Sequence, residues 1–314
     1  MAKRSTVKNP KKTDGINPRQ ACPCGSGKRY KACHGLSGGP VEVAVARPFE
    51  GLAGECELIA LREFVPSATA PLTLSVDTER TVTLATVLPM AAAGLVRADG
   101  SAFVGLQVQS RSSDVSRDLA RALRWALEAD PGEVLPAVGA ETSEEGDRER
   151  LQDLLDVKAA LEPTLHDDFA WWLPDGEEPT GEVALSLERA NTAIMPTERI
   201  GPAAYWVDAG DRAHLRWVRP ESEEQFLLAL ARLSARGELG LGEGSRYAGS
   251  FRAHGLLVPV WDLDREQHAR EWTKAAELLG ERLDAAVASL EKEPLTSDER
   301  RARDGLIGRQ VTIR

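Results

Sequence analysis

Three of the chain's four cysteines and one of its five histidines fall between positions 22 and 34: Cys22, Cys24, Cys33 and His34. Thiolate sulfur and imidazole nitrogen are donors that zinc accepts, and zinc takes four of them in a tetrahedron. The local sequence suits such a site. Pro23 has a fixed φ and holds the first cysteine pair in a bent approach. Gly25 and Gly27 permit the turns that reverse the chain. The eight residues after Cys24 bring Cys33 and His34 back from the other side. Four protein ligands leave no position for water or substrate, so the expected zinc is one structural ion rather than a catalytic one.

The spacing C-x-C-x8-C-H is tighter than that of the usual zinc finger. The run Cys22, Pro23, Cys24, Gly25, Ser26, Gly27, Lys28, Tyr30, Lys31, Cys33, His34 and Gly35 resembles the SEC-C motif. That zinc-binding module closes the preprotein translocase ATPase and occurs in many otherwise unrelated bacterial proteins. Ala21 stands where proline or asparagine is common. The resemblance implies zinc on Cys22, Cys24, Cys33 and His34, and contact with a chaperone, ribosome or lipid partner. It implies no ATPase, because nothing else in the chain looks like that enzyme. "GSGKRY" is not a phosphate-binding P-loop: Cys22 occupies the place of its first glycine, and Arg29 follows the lysine where Ser or Thr is required. A SEC-C leader before an acidic body also looks like an actinobacterial family of uncharacterised proteins.

Charge sharpens the partner class. Residues 1–35 hold nine Lys or Arg against Asp14 alone, a surplus of eight, so a chain of net −10 carries −18 on the remainder. A basic tail on an acidic body points to polyanions or acidic proteins. Lys28, Arg29 and Lys31, with Tyr30 among them, can clasp phosphate and stack on a base. They can equally offset the surplus negative charge of three thiolates on Zn²⁺. No apolar run follows the basic start, so neither a signal peptide nor a membrane span is expected. The cytoplasm is the expected compartment, where clustered thiols stay reduced.

These residues need elements to carry them. The chain divides into a basic leader (1–14), the knuckle (15–37) and an α+β body (38–314). Within the body, residues 54–68 read as a helix ended by Pro66 and 80–88 as a strand. A hairpin over 94–109 turns at Asp99-Gly100. A helix over 114–129 has Ser113 as cap, and another helix spans 144–161. The order then repeats: a helix ended by Pro196, a hairpin over 203–218, and a helix over 222–236 capped by Ser222. A buried strand over 255–263 and a helix over 264–290 capped by Asp264 follow. Tight hairpins favour antiparallel sheets, and two similar halves, about 48–165 and 166–314, are a candidate arrangement.

The body shows no catalytic elbow, zinc-protease helix or dinucleotide fingerprint. Cys56 shares a helical face with Ile59 and Ala60 and reads as a structural thiol. His166, Asp167 and Asp168 precede a Trp171-Trp172 anchor. Trp206 and Trp217 read as cross-strand core. The glycine-rich stretch 242–255 places Arg246, Arg252 and His254 in an acidic body, the parts of an anion site. The sequence thus supports a non-enzymatic cytosolic adaptor that docks through its knuckle to the ribosome, RNA or a translocation-associated protein. The alternative is an enzyme of unknown reaction with an anion-binding site near 242–255. A homodimer through the 264–290 stripe is a further option.

Overall fold

A computed structural model describes residues 19–21, 29–30, 44–108, 113–137, 149–174 and 176–308. The chain forms two compact units, Met1–Val45 and Ala46–Arg314. In the first, Ala21 and Arg29 form an isolated antiparallel bridge, and the Tyr30 N–H donates to the Gln20 carbonyl at 2.9 Å.

The second unit is built on two sheets. The first contains β1 (Ala68–Pro71), β2 (Val82–Ala85), β3 (Gly94–Val96), β4 (Ala102–Gly105), β5 (Val134–Leu135) and β6 (Thr164–Leu165). Its order is β5-β3-β4-β2-β1-β6. The predicted β3–β4 hairpin is present, but β4 also pairs with β2 in parallel, so this sheet is mixed. The second sheet contains β7 (Thr197–Gly201), β8 (Ala204–Asp208), β9 (Ala213–Trp217), β10 (Ser245–Ala253) and β11 (Leu256–Leu263). Its order is β10-β11-β9-β8-β7, antiparallel throughout. Each half therefore has its own sheet, and the two sheets are wired differently.

Seven α-helices are described: α1 (Glu55–Glu63), α2 (Val115–Glu128), α3 (Leu151–Leu154), α4 (Gly181–Thr192), α5 (Glu223–Arg236), α6 (Ala269–Ser289) and α7 (Ser297–Ile307). One apolar core joins α1, α2, the first sheet and one face of the second, where Tyr205, Val207, Phe251 and Val258 point. The opposite face, with Ala204, Trp206, Leu215 and Trp217, packs on α5, α6 and α7. Successive side chains of a strand point to opposite faces, so β8 feeds both cores, and four of its five residues are buried. The run "AYWV" is continuously apolar because neither face of that strand meets water.

Local signals set several boundaries. Ser222 Oγ accepts from the Gln225 N–H, and Gly237 closes α5 at φ 71°, a left-handed value that a Cβ would strain. Elsewhere tertiary contacts moved the ends. Asp114, not Ser113, caps α2: its carboxylate accepts from the Ser116 N–H at 3.0 Å and pairs with Arg150 at 3.0 Å. Asp264 does not start α6. Its N–H is bonded to the Gly244 carbonyl and prolongs the hairpin, so His268 becomes the cap, with Glu271 completing a capping box. The helix expected over 144–161 reduces to α3 among the described residues. Leu155 instead bridges to Leu74, and the Asp156 N–H donates to Thr73. α7 lies beyond the expected 264–290 helix, the last element read from the sequence, and its Thr296–Glu299 capping box marks its start.

Candidate functional site

The residues with the strongest chemical signature, Cys22, Cys24, Cys33 and His34, lie outside the described residues, as do Lys28 and Lys31. Arg29 is exposed and Tyr30 half-buried. The Ala21–Arg29 bridge joins the chain on either side of 22–28, the segment that holds Cys22 and Cys24. The donor set of three thiolates and one imidazole fits zinc. No group of three or more His, Cys, Asp or Glu side chains that could hold a metal occurs among the described residues.

In the body, Arg246, Arg252 and His254 of the 242–255 stretch are brought to strand β10 and its turn. Arg246 and Arg252 are six positions apart on β10, roughly 20 Å along an extended strand. Each holds its own carboxylate. Arg246 binds Asp262 at 2.6 Å, Arg252 binds Glu223 at 2.5 Å, and His254 Nε2 meets Glu63 at 2.9 Å. An anion arriving there meets two arranged Arg–carboxylate pairs and a histidine already bonded to Glu63, rather than open donors. The His254–Glu63 contact holds Glu63 below its ordinary range, the hydrogen bond to the imidazole outweighing burial.

The "LHDDF" run is likewise structural in its contacts. His166 Nε2 lies 2.9 Å from Thr69 Oγ1, and Asp168 Oδ1 accepts from the Ala170 N–H at 2.9 Å. Trp171 Nε1 donates to Ser67 Oγ at 2.9 Å, and Trp172 Nε1 donates to the Val87 carbonyl at 2.9 Å. Burial lowers His166 below its usual value, against the pull of Asp168 and Asp167. Trp206 and Trp217 are both buried in the second core. They are not directly opposed, because Trp206 pairs with Leu215 and Trp217 with Ala204.

What sequence reasoning missed is a cleft of about 580 Å³ between α6 and the turn joining β7 to β8. Ala53, Ile200, Pro202, Trp217, Ala276 and Gly280 form much of its wall, with Cys56, Glu57 and Arg219 as polar members. Glu57 is buried and fully engaged. Its Oε1 accepts from Arg199 Nη2 at 2.6 Å and the Ala203 N–H at 2.8 Å, and its Oε2 accepts from the Tyr205 hydroxyl at 2.6 Å. Ala203 reaches Glu57 from a left-handed conformation, φ 48°, a backbone cost that the buried hydrogen bond offsets. Burial, then the Glu57 charge, pushes the Tyr205 hydroxyl far up. Burial and three neighbouring glutamates push the Cys56 thiol up to about 12. Such a thiol is protonated at neutral pH and is no nucleophile.

Arg219 is held over the Trp217 ring at 5.5 Å and bonds Glu221 at 2.6 Å and Asp284 at 2.5 Å. At Gly280 the helix passes close to the Trp217 ring: a Cβ there would stand 3.0 Å from it, so the ring would have to shift by a few tenths of an ångström to accept one. Of these residues, the sequence draws attention to Cys56 and Trp217, and to the 264–290 helix as an apolar stripe, but not to its acidic positions. Nothing in their spacing says that one turn brings them together.

The comparisons with known proteins follow the same division. A SEC-C motif matches residues 19–36. A model described as a family of unknown function, DUF5926, matches residues 48–314. No curated protein matches the chain, and no solved structure does. With most of its length covered by that one model, the chain belongs to the DUF5926 family and carries a SEC-C motif ahead of the family domain.

Proposed function

We propose that the chain is a zinc-dependent adaptor: Cys22, Cys24, Cys33 and His34 hold one structural zinc, and the folded knuckle docks the acidic body onto a polyanionic partner, the ribosome or RNA. The observation that carries this reading is the SEC-C match over 19–36, which overlaps a segment, residues 1–35, holding a surplus of eight positive charges. Zinc would supply the fold of the knuckle and no chemistry, since all four positions are taken by protein. Lys28, Arg29 and Lys31 would then meet phosphates, and Tyr30 would offer a stacking face. The enzymatic alternative rests on Arg246, Arg252 and His254, and an anion there has to displace Asp262, Glu223 and Glu63.

Co-sedimentation with ribosomes at low and moderate salt tests the proposal, alongside native mass spectrometry. The expected result is one zinc per chain and pelleting that salt reverses, because phosphate contacts release counterions. Cys33→Ser loses both the zinc and the pelleting, with the helical circular dichroism of the body retained. A zinc-loaded chain that stays in the supernatant at low salt, or a Cys33→Ser chain that still pellets, overturns the reading.

A further inference from the structure

The cleft beside α6 has features that neither the zinc knuckle nor the core explains. Its volume, about 580 Å³, falls in the range of ligand sites, and its walls are mainly apolar with few polar groups. The polar groups at its floor are already satisfied: Glu57 has three donors, and Arg219 is neutralised by Glu221 and Asp284. The rim is different. Glu277, Glu281 and Asp284 line it from one face of α6. Among the described residues Glu277 pairs only with Lys274, at 3.0 Å with both side chains more than half exposed, and such pairs contribute little. Glu281 is exposed and has no ion pair among the described residues.

We propose that this cleft binds an extended basic peptide segment of a partner protein, with an apolar side chain between its cations. Two geometric facts choose a peptide over a single small amine. Glu277 and Glu281 are one helical step of four residues apart, a rise of roughly 6 Å. Alternate side chains of an extended strand repeat at roughly 6.5–7 Å, so cations two positions apart can meet both carboxylates. The side chain between them points to the opposite side of the strand, toward the wall across from α6 where Ile200 and Pro202 line the cleft, an apolar surface that no isolated ammonium can use. Charge complementarity also favours a cationic occupant, since the chain outside its first 35 residues carries −18. This inference is independent of the zinc reading, because none of the cleft residues belongs to the knuckle.

Fluorescence anisotropy of a fluorescein-labelled, capped Arg-Leu-Arg-Leu-Arg peptide against the zinc-loaded full chain tests it. Saturable binding at low salt is expected, weakened roughly three- to tenfold by Glu277→Gln with Glu281→Gln. Replacing the two leucines of the peptide by glycine should also weaken it. Glu238→Gln with Glu243→Gln, two exposed carboxylates outside the cleft, should leave it unchanged. Equal loss in both double variants would reveal general attraction to an acidic surface and overturn the site. So would equal affinity of the leucine and glycine peptides, or no saturation up to roughly millimolar peptide.

Discussion

Glu57 illustrates how one carboxylate decides what the residues around it are for. Its neighbours Cys56, Tyr205 and Arg199 are all residue types that catalyse in other settings. Here Tyr205 and Arg199 donate to Glu57, and Cys56 is held protonated by burial and acidic neighbours. The group ties α1 to the β7–β8 turn and to β8. Tyr205→Phe removes a donor to a buried charge and is expected to destabilise the body by roughly 1.5–3 kcal/mol, read from urea unfolding with an unchanged m-value. A cost under a few tenths would mean that the hydroxyl is not the partner that holds Glu57 in place.

At the scale of elements, the order of helices and hairpins was legible wherever a local signal and a tertiary contact agreed. The Ser222 cap and the Asp99-Gly100 turn are cases of this kind. It was not legible where a distant strand intervened. The 144–161 run has helical periodicity, yet Leu155 pairs with Leu74, and Ser75 N–H bonds the Leu154 carbonyl at 2.8 Å. β5 and β6 are two residues each, too short for any period to announce.

α7 is attached by a device that periodicity does not show. Arg232, 1 % exposed, reaches across from α5 to Glu299 at 3.0 Å and to the Glu293 carbonyl at 2.8 Å, with Ser289 Oγ as a further acceptor. Apart from Glu299, only Leu306 of α7 is fully buried. Glu299→Ala leaves a buried guanidinium without its counter-charge and is expected to cost roughly 3–5 kcal/mol. Because α7 is one light layer, hydrogen exchange should show that helix opening ahead of the core. Arg232→Leu combined with Glu299→Leu should recover most of the loss, and failure to recover would mean that the pair has a role beyond neutralising itself.

For the molecule as a whole, two histidines contribute to its acid response near neutral pH. His166 is lowered by burial. His214 is lowered by burial and then by Arg216, against the pull of Asp262. Each folded value lies below the unfolded one, so the unfolded chain binds more protons near pH 6.5. Their contribution is therefore fully present above pH 6.5 and is lost as pH falls through the lowered folded values. His166→Asn with His214→Asn should flatten the fall in melting temperature between pH 7.5 and 5. A fall as steep as in the unaltered chain would place the acid response on other groups.

The sequence alone singled out Cys22, Cys24, Cys33 and His34 as candidate zinc ligands and carried the SEC-C motif, because ligation chemistry needs particular atoms at short, fixed spacings. It also determined the α+β class and the charge division between the first 35 residues and the rest, since those follow from composition and local period. Tertiary structure alone decided that the second sheet serves two cores, that β2 and β4 run parallel, and that Arg246, Arg252 and His254 each meet a carboxylate. It alone formed the cleft from residues as distant as Cys56, Pro202 and Gly280. Contacts of that kind depend on which strand lies beside which, and strand order is set by packing energy summed over both faces, which no local spacing records.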